Sequence, residues 1–190
     1  MEPVTLTTER LLLRALDRRD IEATYVACQD PGIQRWTTVP SPYERMHAEF
    51  FIEQMVPEGW RTDSAYNFAV LPLGGGPLIG SLTVHRSLPG AWETGFWTAK
   101  EHRGRGYMTE AVSALARWAF TALGAERLEW RAEVGNGASR AVAEKSGFRV
   151  EGVMRAGLLH RDTLRDAWLG ALLPGDLGLP SARPYVSATS

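Results

Sequence analysis

Cysteine is nearly absent. Cys28 is the only one in 190 residues, so no intrachain disulfide can form. Its position in a helix-like stretch reads as a buried, inert thiol rather than a nucleophile. Long apolar runs are missing too. None approaches about 18 residues, which leaves no helical membrane span. The N-terminal residues carry no basic segment followed by an apolar one, so no secretory signal is read and a cytoplasmic protein is expected. Neither sign of charge is in excess: 21 basic against 22 acidic residues give a net charge of −1. That excludes a general attraction to nucleic acid or to an anionic membrane, and any anion site must be built locally. The four histidines, His47, His85, His102 and His160, show no metal-ligand spacing, and no metal site is expected.

What is present suffices for one domain with a substantial core, residues 1–175, followed by a Pro-, Gly- and Ser-rich tail at 176–190 that reads as loose. Val4 to Leu16 reads as an opening strand. Asp17 caps a first helix over "DRRDIEATYVACQD". Ser41 caps a second over "SPYERMHAEFFIEQMV", with Pro42 in its first turn and Glu44 completing a capping box. Three strands with short turns follow, "AYNFAVL", "LIGSLTVH" and "AWETGFWTA", an antiparallel meander. Met108, Val112, Leu115, Ala119 and Leu123 form an apolar stripe of helical period, stopped by Gly124. "RLEWRAEV" alternates Leu128, Trp130, Ala132 and Val134 against four charges, the pattern of a strand. "GNGASRAVAEKSGF" reads as a turn, a short helix and a glycine stop at Gly147. Two strands, "FRVEGVM" and "TLRDAWLGALL", close the chain. The order β-α-α-β-β-β-α-β-α-β-β is that of a mixed α/β layer. The strand ending near Ala99 leads through the long helix to the strand at Arg127. That connection favours parallel, right-handed packing and places the helix N-terminus at the C-terminal edge of the sheet, where ligands bind.

That N-terminus is preceded by "EHRGRGYM". Backbone N–H groups from Arg103 to Met108 lack intrahelical partners, and the aligned peptide dipoles add partial positive charge. Gly104 and Gly106 clear side chains from the approach and permit positive φ. Arg103 and Arg105 add formal charge. Together these suit a phosphate or pyrophosphate cradle. The loop is not a P-loop, since no Gly-Lys-Ser/Thr follows, and it fails the dinucleotide fingerprint at Thr109. A plain turn whose glycines let the helix start accounts for the same residues.

"HRGRGYMTEAV" and "EVGNGASRAVAEKSGFRVEGVMR", with the opening "LTTERLLLRAL" and the strand "ETGFWT", resemble the GCN5-related N-acetyltransferase (GNAT) family. The likeness is closest to the branch of ribosomal-protein N-terminal acetyltransferases (RimJ/RimL-like) and their small-molecule-modifying relatives, and it runs from about Leu6 to Leu173. The resemblance implies the GNAT fold, a mixed central sheet with two splayed parallel strands and flanking helices. It implies acetyl-CoA as donor and an amine as acceptor, a protein N-terminus or a small molecule, joined by direct transfer in a ternary complex. The CoA pyrophosphate would sit on the loop, on backbone groups of Arg103, Gly104, Arg105, Gly106, Tyr107 and Met108, with Thr109 behind them. Gly104 and Gly106 match the family's loop pattern. Glu101 departs from it, and Arg103 and Arg105 supply the positive charge that the pattern's first position lacks here. The splayed strand, with Phe96, Trp97 and Thr98, would pair with the pantetheine arm. An N–H near Trp97 would face the oxyanion of the tetrahedral intermediate. Asn136 would contact the same arm, and Ser139 would protonate the departing thiolate. Other branches use a tyrosine for that step, and none stands between Gly137 and Leu173. Both Asn136 and Ser139 are also good helix caps. Homodimers are common in the resembling branch; the sequence leaves oligomeric state open.

The acceptor must be neutral to attack. At pH 7 a lysine-like amine is about one part in 2,500 neutral and an α-amino group about one part in ten, so the need for a base depends on the substrate. Glu93, His85 and His160 are the candidates. Glu93 is preferred, because it shares a strand face with Gly95 and Trp97 and can act through a water. Aromatics and acids between Pro31 and Asp63 (Trp36, Tyr43, Phe50, Phe51 and Trp60 with Glu44, Glu49, Glu53, Glu58 and Asp63) suit a cationic acceptor; an amphipathic helix with a wet acidic face explains them equally. The competing functional readings are a CoA-binding sensor without turnover and a transferase that uses a longer donor such as succinyl-CoA.

Overall fold

The computed structural model describes residues 1–188; the last two residues of the expected tail lie outside that range. The opening stretch is not one strand but a hairpin, β1 (Leu6–Thr7) and β2 (Leu11–Ala15). Thr8 makes the break. Its N–H donates to the Leu11 carbonyl, and its hydroxyl accepts the Leu11 N–H, both at 2.9 Å. Side chain and backbone together close a turn that the apolar pattern alone does not disclose.

Asp17 caps a single 3-10 turn, and α1 (Ile21–Ala27) follows. A six-residue helix, α2 (Pro31–Trp36), comes next, capped by Asp30, whose carboxylate accepts the Ile33 N–H. The second expected helix begins at Arg45 rather than at Pro42, with Glu44 at its N-cap, whose N–H donates to His47 Nδ1 at 2.9 Å. It runs as α3 (Arg45–Phe50), a π turn (Phe51–Met55) and α4 (Val56–Thr62). Pro57 has no N–H to donate back along the helix, and the turn before it widens to accommodate that loss.

The remaining elements are β3 (Ala65–Pro72), β4 (Gly80–Leu88), β5 (Ala91–Thr98), α5 (Tyr107–Ala122), β6 (Arg127–Glu133), α6 (Gly137–Lys145), β7 (Arg149–His160) and β8 (Thr163–Leu172). The strands form one sheet in the order β1-β2-β3-β4-β5-β6-β8-β7. Every neighbouring pair is antiparallel except β5 and β6, which are parallel and joined by α5. This is the α/β GNAT architecture, a mixed eight-stranded sheet with flanking helices.

The apolar stripe of α5 lies on one face of the sheet. Met108, Val112, Leu115 and Ala119 are buried there, as are Phe68, Leu82, Trp92 and Leu128 from the strands. Trp118 of α5 packs edge-on against Tyr66 and Phe68, and Tyr66 stacks on Trp92. The opposite face is polar and yet covered. Alternation suggests a wet face for the charges of β6, but Glu129 is buried at 6% exposure. Arg127 and Arg131 each reach it at 2.9 Å and neutralise it, which is what a buried carboxylate requires. After β8 a 3-10 turn (Pro174–Leu177) leads back along the body, and Leu177 and Leu179 pack on the core.

Candidate active site

The parallel ladder between β5 and β6 is short. It pairs Ala91 with Arg127 and ends where Thr94 meets Trp130. Both strands continue beyond that point, β5 to Thr98 and β6 to Glu133. Each keeps its outer partner: Gly95 to Thr98 pair with Thr83 to Gly80 of β4, and Arg131 to Glu133 pair with Leu169 to Ala167 of β8. On their facing edges, residues 95–98 and 131–133 have no ladder with one another, and the sheet forks. Gly95 is the first residue past the last pair. It is exposed, and a Cβ there would meet nothing within 4 Å, so the root of the fork is open.

The loop before α5 lies at the far end of that β5 edge. Gly104 and Gly106 adopt φ of +74° and +77°, a conformation that other residues adopt at a cost. A Cβ at Gly104 would meet nothing within 4 Å, so the space before the loop is open, while the Arg103 N–H is already donated to the Lys100 carbonyl at 3.4 Å. Tyr107, Met108 and Thr109 form the first turn of α5, with Met108 buried beneath it. Glu101 is exposed. Of the two arginines, only Arg105 offers its charge outward. Arg103 is committed: its Nε donates to the Thr98 carbonyl at 3.0 Å, and its Nη2 pairs with Asp30 at 2.7 Å. The expectation that Arg103 supplies free charge to the loop is therefore corrected. It ties the loop to the end of β5 and to the cap of α2.

The clamp on the other side of the loop was not anticipated from the sequence. Arg10, in the β1–β2 turn, donates through Nε to Glu110 Oε2 at 2.6 Å and through Nη1 to the Arg105 carbonyl at 3.1 Å. Its guanidinium lies 4.8 Å over the Tyr107 ring. Burial pushes the Glu110 carboxyl up, but bonds from the Thr8 hydroxyl, the Arg10 N–H and the Arg10 side chain outweigh it and hold the group below its ordinary value.

Asn136 and Ser139 meet at the start of α6. The Asn136 side chain caps the helix by accepting the Ser139 N–H at 3.2 Å. The Ser139 hydroxyl accepts the Trp130 indole N–H at 2.9 Å. Trp130 is the last residue of the parallel ladder, so Ser139 is fastened at the root of the fork. Its oxygen is engaged as an acceptor, and no bond is made by its own proton among the described residues. Phe96 packs against the core on the α5 side, while Trp97 lies on the other face beyond Gly95.

Glu93 sits one pair short of the fork, opposite Glu129 on β6 and His85 on β4. It shares its face with Arg131, whose Nε is 3.5 Å from Glu93 Oε2. Trp130 points to the α5 face, so Glu93 and Ser139 approach the fork from opposite sides of the sheet. On the Glu93 side β6 ends in Glu133, which Arg35 of α2 grips through two bonds of 2.7 and 2.8 Å. His160, at the end of β7, brings Nδ1 to 3.9 Å from Glu133 Oε2. It also lines an open cleft with Leu159 and Arg161 on one wall and Thr38, Pro40 and Ser41 on the other.

The acids and aromatics expected to receive a cationic acceptor are spread elsewhere. Glu49, Glu53 and Glu58 pair with Arg45, Arg18 and Arg61, and Asp63 pairs with the chain's own N-terminus. Tyr43 and Trp60 are core residues. Trp36 packs beside Gly135 in the turn between β6 and α6.

A sheet forked between two parallel strands, with an amide-lined helix mouth at one end of the gap, is the frame of an N-acetyltransferase. Residues 10–149 match the family model described as "Acetyltransferase (GNAT) domain", and the chain belongs to the GNAT N-acetyltransferase family. It is 31% identical over 164 residues to "Putative ribosomal N-acetyltransferase YdaF" of Bacillus subtilis (strain 168), covering 81% of this chain and 88% of that protein. Among solved structures, RimJ of Mycobacterium smegmatis in complex with a CoA-disulfide superposes with a TM-score of 0.81 at 21% identity, covering 94% and 92% of the two chains. A RimL ribosomal L7/L12 alpha-N-protein acetyltransferase in complex with coenzyme A gives 0.80 at 20% identity, covering 90% and 98%. At those identities the likeness is one of fold. No helix among the described residues is long and apolar enough to cross a membrane, and no cluster of potential metal ligands occurs among them.

Proposed function

We propose that the chain transfers the acetyl group of acetyl-CoA to a primary amine, the N-terminus of a protein, by direct attack in a ternary complex. The observation that supports this most is the fork, with the Ser139 hydroxyl fastened to Trp130 at its root. Acetyl-CoA fits the residues present. The loop from Gly104 to Met108 borders open space suited to a diphosphate, while the Arg103 N–H is spent on the Lys100 carbonyl. The unpaired edge of Gly95 to Thr98 offers ladder partners to an extended arm, and Asn136 follows the free segment of β6 on the other side of the gap. From loop to root the free edge is four residues long, about 13 Å.

In the transfer the amine nitrogen bonds to the thioester carbon, the carbonyl becomes an oxyanion, and the C–S bond then breaks. A backbone N–H near Trp97 is placed for the oxyanion. The departing thiolate takes the Ser139 proton, which solvent restores. An ammonium acceptor must lose one proton before attack and a second after it. Glu93, acting through a water on the acceptor side of the fork, takes the second and passes it to solvent. The sum is one amide, one free thiol and one proton released. The acceptor approaches on the Glu93 face, between the 38–41 segment and the β7–β8 turn.

The test is thiol release from acetyl-CoA with a panel of peptides bearing free N-termini and of small primary amines, beside calorimetric titration with acetyl-CoA and succinyl-CoA. Release that depends on peptide and on acetyl-CoA is expected. Tight CoA binding without release for any acceptor would replace the enzyme by a sensor.

A further inference from the structure

We infer that Arg131 is the positioning residue for Glu93: it fixes one oxygen of that carboxylate across the root of the fork and leaves the other for the acceptor's proton. The inference rests on the acetyl-transfer reading above, in which Glu93 takes the proton that the amine sheds after attack.

The strand register places the two residues on either side of the root. Glu93 stands opposite Glu129, one pair before the ladder ends at Thr94 and Trp130. Arg131 is the first residue of β6 past that end, and it keeps its outer partner, Leu169 of β8. Alternate residues share a face, so Glu93, Glu129 and Arg131 all stand on the side opposite α5. There the Arg131 guanidinium joins the two strands. Its Nη2 donates to Glu129 Oε2 at 2.9 Å, and its Nε lies 3.5 Å from Glu93 Oε2. Side-chain contact therefore crosses from β6 to β5 where their backbones stop bonding to one another.

The Arg131 Nε is shielded from solvent and makes no hydrogen bond among the described residues. A buried donor left alone is costly. An approach of about half an ångström by Glu93 would close a normal charge-assisted bond. Glu129 accounts for the other end of the guanidinium and not for this nitrogen. It is buried and needs cationic partners, and Arg127 already supplies one at 2.9 Å while also gripping Glu151.

Glu93 has reason to be held. Its side chain turns about three bonds, and its cross-strand neighbour Glu129 carries a like charge that repels it. Arg131 stands between the two carboxylates. With Oε2 held, the side chain is confined and Oε1 is left for the water that carries the proton. The Glu93 side chain keeps 18% exposure, so water reaches it. Placement of this kind governs rate steeply, since a shift of about 1 Å in a reacting group can cost about a hundredfold. The planar fork of an arginine can hold two carboxylates at once, which the single ammonium of a lysine does less well.

The test is a double-mutant cycle on the chemical step, read as the single-turnover rate of acetyl transfer to the peptide that releases most thiol in the panel above. Arg131→Gln should slow that rate about tenfold and leave acetyl-CoA affinity within about twofold. Glu93→Gln should slow it at least about tenfold. In the Glu93→Gln background, Arg131→Gln should change the rate less than about twofold, because the group it positions is gone. Arg131→Lys should recover part of what Arg131→Gln loses.

Equal losses from Arg131→Gln in the two backgrounds mark a structural role and overturn the inference, and so does a wild-type rate for Arg131→Gln alone. Should Arg131→Gln fail to fold, Arg131→Lys carries the same cycle, and a loss that persists without Glu93 overturns it. A wild-type rate for Glu93→Gln removes the base, and the inference with it. These failures differ from failure of the underlying reading, in which wild-type protein binds acetyl-CoA but releases no thiol with any peptide or amine, and the inference falls with it.

Discussion

At the scale of single residues, Ser139 and Gly104 separate chemistry from binding. The Ser139 oxygen already accepts the Trp130 indole proton, which leaves the hydroxyl proton for a leaving group. Ser139→Ala should lower kcat by at least about tenfold and leave acetyl-CoA affinity within about twofold of the wild type by calorimetry; an unchanged kcat removes it as the acid. Gly104 behaves oppositely. The space in front of it is empty, so Gly104→Val tests the ligand's space and backbone conformation rather than the packing of the fold. We expect acetyl-CoA binding to weaken at least about tenfold, about 1.4 kcal/mol, in a protein that still folds. Equal affinity would show that the loop amides do not hold the diphosphate. Both residues were legible in the sequence because their signals are local, a G-x-G before a helix and an N-x-x-S at the next one. Arg103 was not. Its partner Asp30 lies 73 positions away, and no local pattern announces that its charge is taken. Arg10 and Glu110, 100 positions apart, escaped notice for the same reason.

At the scale of elements, the β1–β2 hairpin is a brace for the mouth of α5. Glu110 gathers the Thr8 hydroxyl, the Arg10 N–H and the Arg10 guanidinium, and Arg10 passes on to the Arg105 carbonyl. The bonds that gather on the carboxylate outweigh the burial that opposes them, and depress its folded-state value below 4.5. Such a group stabilises the fold above the unfolded-state value and ceases to do so as the pH falls through the folded one. The melting temperature of the wild type should therefore exceed that of Glu110→Gln at pH 6, and the gap should shrink progressively below pH 4.5. A gap of constant size down to pH 3, read by scanning calorimetry, would mean that the carboxylate's charge contributes nothing to the brace. The long, strongly periodic elements, α5 and the strands of the meander, were evident from residue spacing. The hairpin and α2 were not. A three-residue turn closed by Thr8 leaves the apolar pattern of Leu6 to Leu13 unbroken, and a six-residue helix is too short for periodicity to register. Only Asp30 followed by Pro31, a cap and a first-turn proline, marked the start of α2.

At the scale of the whole molecule, the sheet is two blocks with a narrow join. Strands β1 to β5 form one block and β6, β8 and β7 the other, and between them stand four paired positions, Ala91–Thr94 against Arg127–Trp130. Beyond the join, α2 spans the opening. Asp30 at its cap holds Arg103 on the β5 side, and Arg35 in its last turn holds Glu133 on the β6 side. An acyl-CoA arm lying in the fork would add backbone bonds where the two blocks part, so binding should tighten the molecule well beyond the phosphate loop. At a concentration 100 times its dissociation constant, acetyl-CoA should add about 2.7 kcal/mol of stability by mass action alone. Hydrogen exchange gives the location. Slower exchange is expected in peptides covering 95–98 and 131–133 as well as 103–108, with no change in the β2–β3 ladder, which is already paired along its length. Protection confined to 103–108 would place the diphosphate in its cradle but leave the arm outside the fork. Direct transfer at Ser139 would then lose its geometry.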